Sequence, residues 1–281
     1  MKEGLARWVS FTHVFLDCDG TLVRVEGIVE LARMRGLEAA VAALTEAAMT
    51  GRMPLEAVYE RRLAMIRPTR AEIRRLVQIY RENLIPDVPL VLRALHACGI
   101  AVHLLSGGLE EAVRGLGLLL GIPSQRIHAV RVRYDPFAGA WWRGEDGPAT
   151  GVEPSPLLHQ DGKARVLEGF RAPGRRLMLI GDGATDLAAR PAAHLFVGFG
   201  GVFHRSLIAE EADVYIAWDR LAPILPLALS PERARALRGT PAEAVLREGL
   251  QAFESGKARF RDPERHERFL QAWHTWQQEV R

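Results

Sequence analysis

His13-Val14-Phe15-Leu16-Asp17-Cys18-Asp19-Gly20-Thr21 joins a short apolar run to an abruptly polar tip, the pattern of a buried strand that delivers side chains at its C-terminal end. The pattern recurs twice. Ile100-Ala101-Val102-His103-Leu104-Leu105 ends in Ser106-Gly107-Gly108, and Leu177-Met178-Leu179-Ile180 ends in Gly181-Asp182-Gly183. Helical periodicity over 88–98 and 163–170 precedes the second and third runs. Strands alternating with helices make a parallel sheet, and such sheets bind ligands beyond the carboxyl ends of their strands. The fold class is therefore α/β, a doubly wound and mostly parallel sheet, with all three polar tips on one edge. Short runs at 194–197 and 213–216 extend it.

Between 22 and 86 no strand pattern occurs. The stretch is rich in Ala, Leu, Arg and Glu and breaks near Gly36, at Gly51-Arg52-Met53-Pro54 and at Arg67-Pro68, which predicts a helical insertion after the first strand. Arg131-Val132-Arg133-Tyr134 and Ala140-Trp141-Trp142, flanking Asp135-Pro136-Phe137-Ala138-Gly139, predict a β-hairpin. Ser230-Pro231, Thr240-Pro241 and Asp262-Pro263 each set a capping side chain before a proline suited to the first helical position, so three helices follow. In the last, Phe269, Trp273, Trp276 and Val280 form one apolar stripe. Its expected partner is the chain's own core; the alternative is a homodimer through the C-terminal helices. The expected division is a catalytic core at 1–22 and 86–221, a helical domain at 23–85 and a helical extension at 222–281.

The chain has 281 residues, 48% hydrophobic and 25% charged, a globular composition. A formal charge of +3 is small for this length and argues against a nucleic-acid partner. No apolar run approaches the roughly 20 residues of a membrane span, and Met1 to Ser10 has no signal-peptide pattern, so the expected location is the cytoplasm. Cys18 and Cys98 stand in no metal or redox spacing and are expected to be reduced and packed. The basic residues are nearly all arginine, with lysine only at positions 2, 163 and 257, which singles out Lys163.

Phosphate-ester hydrolysis demands accelerations of up to ~10²¹-fold. It needs a nucleophile, a proton donor for the leaving alkoxide and cations matched to the phosphate oxygens. Asp17 and Asp19 alternate at a strand tip, so one can attack while the other handles protons. Taken alone, Asp-x-Asp-Gly fits a turn or a calcium-loop fragment equally well. Gly181-Asp182-Gly183-Ala184-Thr185-Asp186 changes that balance, because a second tip adds carboxylates that repel unless a cation joins them. Oxygen ligands suit Mg²⁺, with Asp17 and Asp182 as carboxylate ligands and the Asp19 carbonyl as a third. Asp186, one turn into a helix, stands behind as an outer partner or serves as an ordinary first-turn acid. Ser106-Gly107-Gly108 offers a hydroxyl and N–H groups, and Lys163 a compact positive charge, to a phosphate. No nucleophile elbow, Walker loop or dinucleotide fingerprint is present.

The order Asp17-Cys18-Asp19-Gly20-Thr21, Ser106, Lys163, Gly181 to Asp186 resembles the four signature motifs of the haloacid dehalogenase superfamily. The helical insertion looks like that superfamily's cap domain. Arg24-Val25-Glu26-Gly27-Ile28, Ala48-Met49-Thr50-Gly51, Glu60-Arg61-Arg62-Leu63-Ala64 and Phe196 to Gly201 resemble the phosphoserine phosphatase family within it, over roughly residues 12–220. The resemblance implies a Mg²⁺-dependent phosphatase that takes a small phosphomonoester, phosphoserine, in serine biosynthesis. It implies Asp17 as nucleophile, Asp19 as acid and base, and Ser106, Gly107, Gly108 and Lys163 around the phosphate. Glu26 meets the substrate ammonium, Arg62 its carboxylate and Met49 its body, with Thr21 and Asp186 behind. Without the resemblance, Glu26 and Arg62 read as an exposed ion pair. Leu55 stands where the family often has an aromatic, and the tail after about Leu221 lies outside the match. The alternatives are a phosphatase or phosphotransferase of the superfamily acting on another phosphomonoester, and an inactive scaffold that binds a partner through its C-terminal helices.

Overall fold

A computed structural model describes residues 8–50, 52–134 and 147–279. In chain order the first elements are β1 (His13–Leu16), α1 (Gly27–Arg33), α2 (Glu38–Met49), α3 (Leu55–Ile66), α4 (Arg70–Glu82), α5 (Val88–Ala97), β2 (Ala101–Leu109) and α6 (Glu110–Leu119). Next come β3 (Ile127–Val130), β4 (Val132–Tyr134), β5 (Ala149–Val152), α7 (Gly162–Glu168), β6 (Leu177–Gly181), α8 (Ala184–Ala189), β7 (Leu195–Phe199) and α9 (Ser206–Glu211). The chain closes with β8 (Val214–Ile216), α10 (Ile224–Ala228), α11 (Pro231–Ala234), α12 (Pro241–Glu254), β9 (Ala258–Phe260) and α13 (Pro263–Glu279).

The main sheet runs β3-β2-β1-β6-β7-β8-β9, with every pairing parallel except the antiparallel β8–β9 edge. Its centre is apolar on both faces: Val14, Phe15, Leu16 and Leu177 to Ile180 are all buried, as a parallel sheet covered by helices requires. Because β2 and β6 flank β1 in register, Ser106, Asp17 and Asp182 reach the same edge, as expected from their runs. The chain leaves β1 toward β2 and β3 and later returns to β6 on the other side. Their shared edge is therefore the switch point where open α/β sheets bind ligands.

The insertion is helical as expected, α1 to α4, with breaks near the anticipated glycines and prolines. The α4 helix begins with a capping box in which Thr69 accepts from the Glu72 N–H and the Glu72 carboxylate accepts from the Thr69 N–H. Its inner face is Ile73, Leu76 and Tyr80, spaced three and four apart. Two expectations change. The strand β2 does not stop at Leu105 but runs through Ser106-Gly107-Gly108 to Leu109, with a register shift against β3 between Leu105 and Leu109. The hairpin's first arm pairs antiparallel with Ala149–Val152, while its expected second arm at 140–142 lies outside the described residues.

The tail forms its three proline-started helices, preceded by the short α10. It also contributes β9, which the sequence reading did not anticipate and which closes the sheet edge. Phe269, Trp273 and Trp276 are buried at 0%, 0% and 2% exposure, so the stripe packs on the chain's own core; Val280 lies outside the described residues. Trp8 meets Phe269 edge-on at 5.0 Å, and its indole N–H donates to the Leu227 carbonyl at 2.9 Å. The Asp87 carboxylate accepts the N–H groups of Leu221 and Ala222 at 3.1 and 2.7 Å, pinning the start of the tail to α5. Cys18 and Cys98 are free and buried. Among the described residues no helix is long and apolar enough to cross a membrane.

Candidate active site

Where β1 ends, the chain turns at Gly20, whose φ of +70° is the left-handed region that favours glycine. A Cβ there would also lie 2.6 Å from Asp182 Oδ2, so the turn brings backbone against the neighbouring strand's acid. Asp17, Asp182 and Asp186 each offer a carboxylate oxygen within 4.8 Å of the others, and all three are buried. The acids expected from separate tips therefore do meet.

Lys163, 3% exposed, lies between two of them, with Nζ 2.9 Å from Asp17 Oδ2 and 2.7 Å from Asp186 Oδ1. Burial alone would lower its ammonium, but Asp17 and Asp186 outweigh that and hold it above its ordinary value. Asp186 also accepts the Gly183 N–H at 3.2 Å. It is thus engaged by Lys163 and by the Gly183 N–H within the cluster. Thr21 donates to Asp182 Oδ1 at 3.3 Å. Burial pushes Asp186 up to about 7 against the pull of Lys163, and Asp182 up to about 6 against that of Arg205.

Asp19 Oδ2 accepts the Gly27 N–H at 2.8 Å, while Oδ1 is buried without a partner among the described residues. Burial pushes this carboxyl to about 7 against the hydrogen bonds from Tyr80 and Gly27, a value at which a carboxyl can both give and take a proton near neutrality. Ser106, 1% exposed, accepts the Gly108 N–H on Oγ at 3.0 Å, and both line the cavity with Gly107.

Glu26 and Arg62 line the same cavity and do not form the exposed ion pair that the bare sequence suggested. Arg62 is 4% exposed and donates from Nη1 to Thr45 Oγ1 at 3.0 Å, with Nε lacking a partner among the described residues. Burial, then the charge of Asp19, raise Glu26 well above the usual carboxylate range. The side chains of Met49 and Leu55 lie outside those described.

One charged residue was missed. Arg205, 8% exposed, donates from Nη1 to the Asp182 carboxylate and, at 3.3 Å, to the Asp182 carbonyl; its Nη2 stands 3.7 Å from Glu26 Oε1 and 3.7 Å from Glu46 Oε2. It is one arginine in an arginine-rich chain, in the loop before α9, and no local pattern marks it. Tyr59, Tyr80, Leu76 and Leu157 complete the apolar wall, and only the packing of distant segments identifies them.

The acids Asp17, Asp19, Glu26, Asp182 and Asp186 outnumber the cations Arg62, Lys163 and Arg205 by two. Burial raises Asp19, Glu26, Asp182 and Asp186 above the usual carboxylate range, and the excess of acids fits a divalent cation with oxygen ligands. Asp17, Asp182 and Asp186 are the carboxylates close enough together to hold one.

A family model described as haloacid dehalogenase-like hydrolase matches residues 11–194. The chain is 33% identical over 205 residues to a phosphoserine phosphatase of Bos taurus, covering 72% of this chain and 88% of that protein. It is 34% identical over 218 residues to a chloroplastic phosphoserine phosphatase of Arabidopsis thaliana, covering 75% and 70%. Among solved structures, a phospho-aspartyl intermediate analogue of phosphoserine phosphatase superposes with a TM-score of 0.62 at 25% identity, over 77% of this chain and 98% of that one.

Proposed function

The chain belongs to the haloacid dehalogenase-like hydrolases, and from that premise we propose that it hydrolyses O-phosphoserine to serine and phosphate through an aspartyl-phosphate on Asp17. The observation that carries the substrate is one cavity containing the Asp17–Lys163 pair, the carboxylate of Glu26, and an Asp19 oxygen and Arg62 Nε that have no partner among the described residues. Phosphoserine presents a phosphate, an ester oxygen, an ammonium and a carboxylate, so each of its groups has a counterpart there. The guanidinium of Arg62 matches a planar carboxylate, and Glu26 matches the ammonium.

In the first half-reaction a carboxylate oxygen of Asp17 attacks phosphorus as Asp19 protonates the leaving serine oxygen. In the second, the Asp19 carboxylate takes a proton from the water that cleaves the acyl phosphate. Lys163, the Ser106 hydroxyl and the N–H groups of Gly107 and Gly108 would hold the phosphoryl oxygens, and the family resemblance alone assigns Met49 to the substrate body. Thr21 and Asp186 keep Asp182 and Lys163 in place. Asp17, Asp182 and the Asp19 carbonyl would hold Mg²⁺, which when bound would neutralise phosphoryl charge. The working division is a core at 1–22 and 86–221, a cap at 23–85 that excludes water from the site and an extension at 222–281. The product and substrate are those of serine biosynthesis, and we place the enzyme in the cytoplasm.

A screen of phosphorylated metabolites with Mg²⁺ tests the reading. Phosphoserine should exceed sugar phosphates and uncharged phosphate esters in kcat/KM, and Glu26→Ala or Arg62→Ala should erase that preference while sparing simple esters. A preference that survives both substitutions would remove the substrate assignment. Transfer of phosphate to an acceptor alcohol in place of water would replace hydrolysis by phosphotransfer.

A further inference from the structure

Arg62 enters the cavity from α3, and the end of that helix is tied to the core by residues that do not line the cavity. The helix stops at Arg67, whose φ of +49° is the left-handed region that a side chain rarely adopts. Such a residue persists where its surroundings hold it. Here the surroundings are the antiparallel pair β4–β5. The Ala149 N–H donates to the Pro68 carbonyl at 2.8 Å, and Thr69 forms an antiparallel bridge with Pro148. The Arg70 guanidinium lies 4.4 Å from the centroid of the Tyr134 ring, and its Nε stands 3.1 Å from Glu111 Oε1 on α6. Tyr134 and Ala149 are themselves opposite each other in the β4–β5 pair.

The same strand pair leads to the other end of the cavity. Along its length α3 packs on β5 and on the helical turn Pro156–Leu158 that follows β5. Leu157 of that turn lines the cavity, and a Cβ on Gly162 would collide with the Pro156 carbonyl. The turn is therefore seated against the residue next to Lys163. We propose that Arg70 and Tyr134 are positioning residues for substrate recognition: through β5 they fix α3, and with it Arg62, at the distance from Lys163 that a molecule bearing both a carboxylate and a phosphate requires. This rests on the reading of Arg62 as the carboxylate's partner. The Arg62 hydrogen bond to Thr45 orients the guanidinium but ties it to α2, another part of the insertion. A planar carboxylate pairs well with a guanidinium only in a narrow geometry, so a loosened joint weakens that contact. Lys163 and Ser106 stand on core elements, and their hold on the phosphate is unaffected.

Tyr134→Leu removes the aromatic face, and Tyr134→Phe keeps it. The test compares kcat/KM for phosphoserine and for phosphoethanolamine, which has the phosphate and the ammonium but no carboxylate. Loss of a partly exposed cation–π contact corresponds to about threefold to fivefold. Tyr134→Leu and Arg70→Met should lower kcat/KM for phosphoserine by about that factor through KM, with kcat and the values for phosphoethanolamine near wild type. Tyr134→Phe should behave as wild type. Ala149→Pro, which removes the N–H that Pro68 accepts, should give the same split as Tyr134→Leu. Equal losses on both substrates, no loss, or a loss in Tyr134→Phe matching that in Tyr134→Leu would overturn the proposal. Arg62→Ala in the same assay separates the two readings. If it leaves the preference for phosphoserine over phosphoethanolamine intact, the role of Arg62 falls and the positioning role with it; if it erases the preference while Tyr134→Leu leaves it whole, the positioning role alone falls.

Discussion

Replacing Lys163 by methionine keeps the stem and removes the charge that two buried acids depend on. Nζ stands 2.9 Å from Asp17 and 2.7 Å from Asp186, so at an effective dielectric of about 20 the attraction toward each carboxylate is about 6 kcal/mol. Desolvation of the ions offsets most of this, and breaking such a buried pair from one side typically costs about 3–5 kcal/mol. The cost should depend on pH. Asp186 titrates near 7 even beside Lys163, chiefly through burial, and without the lysine it must rise further. A carboxyl whose folded pKa exceeds its unfolded value favours the fold below the unfolded pKa and loses that contribution as pH rises through the folded one. Urea denaturation in chelator, followed by tryptophan fluorescence, should therefore show Lys163→Met close to wild type near pH 5 and about 3–5 kcal/mol less stable near pH 9. Adding Asp186→Asn should recover part of the loss. A deficit equal at both pH values, or below about 1 kcal/mol, would mean that the cluster is solvated and the account of its charges wrong.

Three shorter expectations follow from the same structure. Asp17→Asn should abolish turnover with its melting temperature near wild type, and EDTA should abolish it reversibly on addition of Mg²⁺; activity persisting in either arm contradicts a metal-assisted aspartyl nucleophile. Trp273→Ala should lower stability by about 3–5 kcal/mol without changing the sedimentation coefficient, because the ring is fully buried in the chain itself; a change in oligomeric state with stability intact would return the stripe to an interface. His103 stacks between Phe15 at 4.4 Å, His13 at 5.5 Å and His128 at 5.7 Å, and burial, then the neighbouring charges, lower it from 6.5 to about 3. Between those values the unfolded chain binds the proton more readily, so stability falls as pH drops; His103→Phe should flatten the fall in that range, and an unchanged slope would show that the stack contributes none of it.

The stretch from His13 to Thr21 disclosed a parallel sheet because a buried strand must be apolar throughout, and its tip must be polar where the sheet meets solvent. The same local rule located Ser106, Asp182 and the helix that begins beside Lys163. That Glu26 and Arg62 point into one cavity was legible only through resemblance, since alone they look like any charges on a helical surface. The strand β9 escaped notice because Ala258-Arg259-Phe260 is three residues long, too short for alternation to register, and the edge of β8 makes it a strand.

The linear order of residues thus determined the sheet, the helical insertion and the identity of the acids, all of which follow from periodicity within a few residues. Only the tertiary structure decided the charge state and partners of the site. Arg205 reaches Asp182 from a loop more than twenty positions away, Tyr80 lines the cavity from the far end of the insertion, and Trp273 packs into the chain's own core. Burial and electrostatics depend on what surrounds a group in space, and the chain segments that surround these groups are distant in sequence.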